Sequence, residues 1–475
     1  MRNKKREVLK TQILIILLIT SVVQIGIHWN MQTQGLPFPL ISQIFNSNGI
    51  KNQKMDVDLF KEQYFRPERI IISVSTTHFR LYESDTQYDK VWHDIRDNYI
   101  PELIKKKPDK ILPKDQWEAI TGSRCVRVDF DINWPSSIVY LLEKTRPGEN
   151  KYFDGIKTII IMPKADVNET INTVYIYDEN QLYQYSIDIS KDFLPKKYYS
   201  DLEKISQDKP GLKLLSTVSN FTSDKDIFVS LDKNKGREFS AVDVQIPESI
   251  ILTRYNIEND IIQENILLNQ KESFAANYLP EIDYAMFTDT ENLYRLYDNG
   301  VLEYKYIPAN NSAAGDISVA FKHAATFIEQ RRHLIGSAEI SLTEINNHDN
   351  YYEMKFTYKT EGVPIYYSTG NEEPISHPII IKANDKRIIE CKWAIRFFGV
   401  SKRKQQYNVH FADLLNNQIV STYPEILKSK DISFQRFEPG YIFYLSDIND
   451  SMISPAWVIS TEERDYFIPL LEKGG

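Results

Sequence analysis

The feature that most restricts this chain is its start, where a basic cluster runs directly into an apolar segment. Arg2, Lys4, Lys5, Arg6 and Lys10 stand against the single acid Glu7, a net +4 that leaves −12 for the other residues of a chain whose total is −8. Ile13, Leu14, Ile15, Ile16, Leu17, Leu18, Ile19, Val22, Val23, Ile25, Gly26 and Ile27 follow, interrupted only by Thr20, Ser21 and Gln24, and Trp29 closes the run. A helix rises about 1.5 Å per residue, so about 20 residues cross a hydrocarbon core. Counted from Val8 to Trp29, with Lys10 snorkelling on one side and Trp29 at the far interface, the segment is long enough. No Lys or Arg follows Lys10 until Lys51, which places the N-terminus in the cytoplasm and the bulk of the chain outside it. The expected location is therefore the cell membrane, with a single pass. A cleaved signal peptide shares the basic start, but the stretch IGIHWNMQTQ after the run holds no small-x-small cleavage site. A buried globular helix is the third reading.

With 475 residues the chain can build two or three cores. Its negative charge and lack of a basic stripe argue against nucleic-acid binding, which draws its affinity from clustered Lys and Arg. The two cysteines, Cys125 and Cys391, leave no room for a disulfide scaffold. A single long-range bridge is one reading, and two unpaired buried residues the favoured one.

Residues 31–60 carry Gly, Pro, Asn and Gln without sustained periodicity and read as a stalk. Strands are expected at 70–82 (one long strand or a hairpin arm), 126–132, 158–162 and the pair 173–177 and 182–187, with a helix in YDKVWHDIRDNYIPELIKK. Farther on, strands 292–297 and 301–307 flank Asn299-Gly300, a type I′ hairpin signal. A helix beginning after Gly315-Asp316 carries Ile317, Phe321, Ala324 and Ile328 on one face. Strands 338–345, 351–358 and 363–367 complete a unit. The same order returns: strands 379–382 and 388–393 around Asn384-Asp385, a helix capped by Asn408 and presenting Phe411, Leu414, Leu415 and Ile419, then strands 432–437 and 441–445 around the turn Glu438-Pro439-Gly440, and 456–459. The expected fold class is thus α+β: a transmembrane helix followed by a multi-lobed ectodomain whose last two lobes are similar helix-on-antiparallel-sheet units. The divisions are 1–10 cytoplasmic tail, 11–30 transmembrane helix, 31–60 stalk, 61–245 N-terminal lobe, 246–373 middle lobe and 374–475 C-terminal lobe.

Reactive groups leave no local signature. The chain has no G-x-S-x-G elbow, phosphate loop, H-E-x-x-H helix or C-x-x-C pair. Eight dispersed histidines include His323 and His333, expected on one helix but about 15 Å apart along its axis, too far to share a metal. The acidic pairs Asp129/Asp131 and Glu462/Glu463 are expected on solvated faces. Aromatics are expected mainly in sheet cores, with Tyr351, Tyr352, Tyr366 and Tyr367 a possible interaction face. No enzyme, cofactor or metal site is expected.

The order of features resembles the YycH family, membrane-anchored regulators of the WalK (YycG) sensor histidine kinase. The residues that carry the resemblance are the basic-then-apolar start with Trp29, LYRLYDNGVLEY (Leu293–Tyr304) with the helix after it, GVPIYYSTG (Gly362–Gly370) and SPAWVISTEERDYFIPL (Ser454–Leu470). It spans nearly the whole chain in layout, although these motifs are structural. The resemblance implies three extracytoplasmic lobes, the last two alike, and partnership with a WalK-type kinase, a YycI-like protein and the membrane. Regulation would proceed through transmembrane and extracytoplasmic contacts and bear on cell-wall homeostasis. The chain departs from a readable helix interface, since Gly26 has no small-xxx-small mate. The alternative is an extracytoplasmic ligand-sensing or cell-wall-binding module with a pocket between lobes.

Overall fold

Isoleucine-rich segments near residues 70 and 160 are apolar on both faces of an extended chain, the pattern of strands in the middle of a covered sheet, and the segment near 128 is apolar on one face and charged on the other. In the computed structural model they are the centre of a nine-stranded, wholly antiparallel sheet. Its strands are β1 (Arg69–Val74), β2 (Thr77–Leu81), β3 (Lys110–Leu112), β4 (Cys125–Pro135), β5 (Gly155–Met162), β6 (Ile171–Tyr177), β7 (Leu182–Asp188), β8 (Lys213–Ser216) and β9 (Phe228–Ser230), in the order β3-β7-β6-β5-β4-β1-β2-β8-β9. The structure describes residues 57–74, 77–83, 85–145, 152–163, 171–188, 213–216, 227–230, 236–268, 274–279, 284–308, 312–368, 377–414, 419, 422–423, 434–444, 451–461 and 465–472. The expected tail, the anchor from Ile13 to Trp29 and the stalk as far as Asp56 lie outside the described residues, as do Gly370, Leu415, Ile432, Leu445 and the Glu462/Glu463 pair. Among the described residues no helix is long and apolar enough to cross a membrane.

Helices α1 (Val57–Tyr64), α2 (Thr86–Asp94), α3 (Trp117–Thr121) and α4 (Ser136–Leu142) accompany this sheet. The expected long helix is α2, which widens into a π-turn at Ile95–Tyr99 before a last turn at Ile100–Leu103. Pro101 sits just past the π-turn, where a proline has no N–H for the regular ladder. Along β4 successive side chains face opposite ways. Phe130 and Trp134 join Phe65 and Trp92 in an aromatic core, with Phe65 stacked on Phe130 at 5.0 Å. The other face carries Cys125, Arg127, Asp129 and Asp131; only its Cys125 end is apolar, packed with Ile120, Ile160, Tyr175 and Leu182.

The remaining strands are β10 (Arg237–Gln245), β11 (Ala275–Leu279), β12 (Tyr284–Thr288), β13 (Asn292–Tyr297), β14 (Val301–Tyr306), β15 (Glu339–Asn347), β16 (Tyr352–Thr360), β17 (Val363–Ser368), β18 (Ile379–Ala383), β19 (Ile388–Ala394), β20 (Phe397–Tyr407), β21 (Phe434–Tyr444), β22 (Ser451–Thr461) and β23 (Asp465–Pro469). They form one sheet of order β11-β12-β13-β14-β19-β18-β16-β17-β21-β22-β10-β20, with β15 on β16 and β23 on β22. All of its pairings are antiparallel except β17 with β21. Short helices α5 (Arg254–Glu258) and α6 (Ile261–Ile266) fall between β10 and β11 in sequence, and α7 (Ile317–Glu329) and α8 (Phe411–Asp413) also lie between its strands. Helix α7 begins where expected, with the Asp316 side chain accepting from the Ser318 amide, and buries Phe321, Ala324 and Ile328 completely, while Ile317 is half-buried.

Several local expectations are corrected. The hairpin at Asn299-Gly300 closes with Gly300 alone at positive φ, so it is not type I′, whereas the two-residue turn between β16 and β17 has both Glu361 (φ 48°) and Gly362 (φ 70°) left-handed. Glu438-Pro439-Gly440 is no turn but the middle of β21: the β17 ladder starts only at Tyr441, so Pro439 has no partner strand on that side to miss its N–H. His410, not Asn408, caps α8, its ring nitrogen accepting from the Asp413 amide. His333 falls in a separate 3-10 turn after α7, so His323 and His333 do not share a helix.

The expected order of elements returns only in part, since the strand β20, not expected from the sequence, stands between β19 and α8, and the two strands expected at 432–437 and 441–445 are the single strand β21. Pairing does not follow a repeat either. The hairpin β18–β19, which opens the second unit, inserts between β14 and β16 of the first. Helix α7 lies over β16, β18 and β19. Strand β10 ladders onto β20 and β22, so backbone hydrogen bonding also crosses the expected divisions at 245/246 and 373/374. Residues Val57–Gly475 form one compact unit.

Candidate functional site at the junction of the two sheets

The polar face of β4 is the most unusual chemical feature of the described residues, because it carries Arg127, Asp129 and Asp131 in the fifth of nine strands. Register explains their meeting. Arg69 of β1 stands directly across from Asp129 on one side and Thr158 of β5 on the other. Arg127 is two residues back on the same face. Asp129 accepts from Arg69 Nε and Arg127 Nε, each at 2.7 Å, and from Thr158 Oγ1 at 2.8 Å. Burial by itself would push this carboxyl up, but the two guanidiniums outweigh it and hold Asp129 well below the usual carboxylate range.

Asp131 reaches the second sheet. It accepts from Lys359 Nζ of β16 at 2.6 Å and from Ser341 Oγ of β15 at 2.8 Å. Burial opposes ionisation of both partners, and their mutual attraction reverses it, lowering Asp131 and raising Lys359. Glu438 of β21 takes Arg80 Nη1 of β2 at 3.3 Å and Arg436 Nε at 3.4 Å, and its carboxyl is held down against burial by these cations. Arg436 also donates to Tyr366 Oη and lies 4.0 Å from Glu68. Two cavities, about 550 Å³ over Asp129 and about 320 Å³ beside Asp131, share Glu68, Arg80, Asp131, Arg436 and Glu438.

An apolar half completes the junction. Tyr64 at the end of α1 is fully buried, meets Phe321 and Phe356 edge-on at 5.9 and 6.1 Å, and donates its hydroxyl to Glu329 Oε1 at 2.7 Å. Trp134 of β4 meets Phe321 at 5.9 Å. The junction is therefore greasy on the helix side and ionic on the other.

Chemically the ionic half fixes geometry. Asp131–Lys359 and Arg80–Glu438 run between the two sheets, while Arg69–Asp129 and Arg436–Glu438 brace them from within one sheet each. The expectation of a solvated Asp129/Asp131 face is corrected: Asp129 is buried, Asp131 is half-buried with its carboxylate turned inward, and both are paired, because β4 is central and its polar side faces β15, β16 and β21. The expected tyrosine face is corrected too. Tyr366 and Tyr367 are buried, the latter against Tyr358 and Phe443, and only Tyr351 and Tyr352 are partly accessible. Cys125 and Cys391 are buried free thiols on different sheets, pushed up to about 11 and about 12 by burial. Among the described residues no three His, Cys, Asp or Glu are grouped to hold a metal ion. The junction was missed in sequence, although Arg127-x-Asp129-x-Asp131 carried a signal: opposite charges two apart on one strand face can neutralise one another.

No family model matches this chain, and no curated protein does. Among solved structures, YycH from Bacillus subtilis is similar over 86% of this chain and 96% of that one, with a TM-score of 0.57 and 14% identity. The chain has a YycH-like fold. An uncharacterized protein from Eubacterium rectale aligns over 54% of this chain and 89% of its own with a TM-score of 0.31 and 12% identity.

Proposed function

We propose that this chain is a member of the YycH family: a non-catalytic regulator, anchored in the cell membrane, that modulates a WalK-type sensor histidine kinase together with a YycI-like partner. The observation that carries this reading is a YycH-like fold along 86% of the chain, coupled to a basic-then-apolar N-terminus. Residues 1–10 lie in the cytoplasm, 11–30 cross the bilayer and the stalk ends before Val57, where helix α1 begins with Phe60 buried in the fold. Regulation needs no reaction: a partner that binds one kinase conformation better than the other shifts its population by the difference in affinity. Replacing residues 11–30 with an unrelated apolar helix tests this. Kinase autophosphorylation in membranes changes if the helix carries contacts; unchanged output, together with failure of the full chain to co-purify with the kinase, refutes the reading.

A second reading is an extracytoplasmic ligand sensor, favoured by the cavities of about 550 and 320 Å³ at the junction, within the range of small-molecule sites. Calorimetric titration of the full chain with soluble cell-wall fragments decides it. Heat that vanishes in Arg436→Ala supports a site there, and no heat rejects it.

A further inference from the structure

The second sheet ends unfinished at β11. Two rows of side chains cross its core face, each residue directly opposite the next in register: Cys391, Tyr304, Tyr294 and Phe287 in one, Trp393, Leu302, Leu296 and Ala285 in the other. All of them are buried. Over the inner strands the cover is helix α7, whose Phe327 lies 5.9 Å from Tyr304 and 6.4 Å from Trp393. The next residue in each row belongs to β11, Ala276 opposite Phe287 and Tyr278 opposite Ala285. There the burial stops. Ala276 is exposed and Tyr278 is 40% exposed, although the side chains one strand inward are closed off from water. Among the described residues no strand pairs with the outer edge of β11, which holds no charge, no proline and no register shift. An edge of that kind is a template for another strand. The opposite end of the sheet is made differently: β20 carries the exposed Lys402, Arg403 and Lys404 beside an irregularity in its ladder to β10, and both features discourage pairing.

We propose that β11 pairs with β11 of a second copy of this chain, about a two-fold axis through Asn277, so that the sheet continues from one molecule into the other. Strands related by such an axis run antiparallel, and the contact closes on itself to give a dimer and not a fibre. The residues of β11 select this partner. Directly opposite residues of an antiparallel pair share a face, and centring on the middle residue pairs the whole strand with its copy. Tyr278 then stands against Ala276 of the second copy, and Ala276 against the other Tyr278. A large ring thus meets a small side chain twice, on the face where the two buried rows run out. On the other face the Asn277 amide meets its own counterpart, and an amide is both donor and acceptor, so it can bind an identical amide. No like charges are brought together. One strand pair is small beside a standard interface of about 1,600 Å², so the dimer is expected at high local concentration.

The test uses the full chain in mild detergent, concentrated and exposed to a gentle oxidant. The native thiols Cys125 and Cys391 are buried and stay out of the reaction. In Asn277→Cys the two new thiols face each other across the axis, where directly opposite Cβ atoms lie about 4.5–5.5 Å apart, and a disulfide-linked dimer is expected. Ile111→Cys, 58% exposed on β3 of the first sheet, measures random collision and should link only at background. Adding Ala276→Lys to Asn277→Cys changes an exposed position, so the urea midpoint should hold while the linked fraction falls to that background. Sedimentation reads the same contact without a cross-link: a concentration-dependent dimer in the wild type and a monomer in Ala276→Lys. Asn277→Cys linking no faster than Ile111→Cys, or a dimer that survives Ala276→Lys, overturns the proposal.

Discussion

Removing the Asp131 carboxylate tests the ionic half of the junction most directly. In Asp131→Asn, Lys359 keeps its place with a side chain 9% exposed but loses the anion 2.6 Å away, and Ser341 loses a charged acceptor. Stripping one partner from a buried pair costs about 3–5 kcal/mol, because the other charge is left without compensation. Replacing both partners with apolar groups of similar size is close to neutral. Asp131→Leu/Lys359→Met should therefore regain most of what Asp131→Asn loses, a coupling of about 2–4 kcal/mol by double-mutant cycle. Urea unfolding followed by tryptophan fluorescence reports it, since Trp92, Trp134 and Trp393 are buried. The acid side supplies a second check. Asp131 is lowered in the fold from its ordinary 3.8, so its contribution is present above 3.8 and is lost as pH falls through the lowered value. The gap between wild type and Asp131→Asn should accordingly narrow in strong acid. An Asp131→Asn protein within about 0.5 kcal/mol of wild type, the size of an ordinary surface substitution, would refute the reasoning. So would a double variant no more stable than Asp131→Asn.

Other outcomes follow from the same contacts. Phe321→Ala opens a void beside Tyr64 and Trp134 and should lower stability by about 3–5 kcal/mol, read as a fall in the urea midpoint with an unchanged slope. Gly362→Ala places a β-carbon within 2.6 Å of Glu83 at a φ of 70°, so a lowered Tm of more than a few degrees is expected in thermal unfolding. Cys125 and Cys391, buried and pushed up to about 11 and about 12, should resist a thiol reagent in the folded protein at mildly alkaline pH and react fully in urea; rapid labelling without urea contradicts their burial.

What could be read from the chain in advance was whatever depends on neighbours in sequence. The start of α7 after Gly315-Asp316, its apolar stripe, the strands near 70, 128 and 160 and the hairpin of β6 and β7 rest on local periodicity and local hydrogen bonds, and all are present. Pairing across the chain was not legible in the same way. The hairpin β18–β19 reads equally well as the start of a new lobe or as the filling between β14 and β16, because its own alternation is satisfied in either sheet. Pro439 and Gly440 look like turn residues, and only the offset of the β17 ladder lets a proline sit inside β21; Gly440 is there for clearance, since a β-carbon would come within 2.8 Å of the Tyr366 ring.

The turn between β16 and β17 shows why the junction itself stayed hidden. Asn-Gly advertises a left-handed pair, yet the pair occurs at Glu361-Gly362, where glutamate pays a conformational cost that an asparagine would largely avoid. The contacts around that turn supply the compensation: Glu361 accepts from Ser240 Oγ at 2.9 Å and meets Lys404 at 3.2 Å, while the missing side chain of Gly362 leaves room for Glu83. Each of those partners lies more than forty residues away in sequence. A local rule reads the residue and its neighbours, whereas the force that places this turn comes from the other sheet. The same holds for Asp131, whose meaning changed from a solvated acid to a buried anchor only once Lys359, 228 residues distant, was brought to 2.6 Å. At Glu361-Gly362 and at Asp131 alike, the disagreement between local preference and observed conformation lies where the two sheets meet.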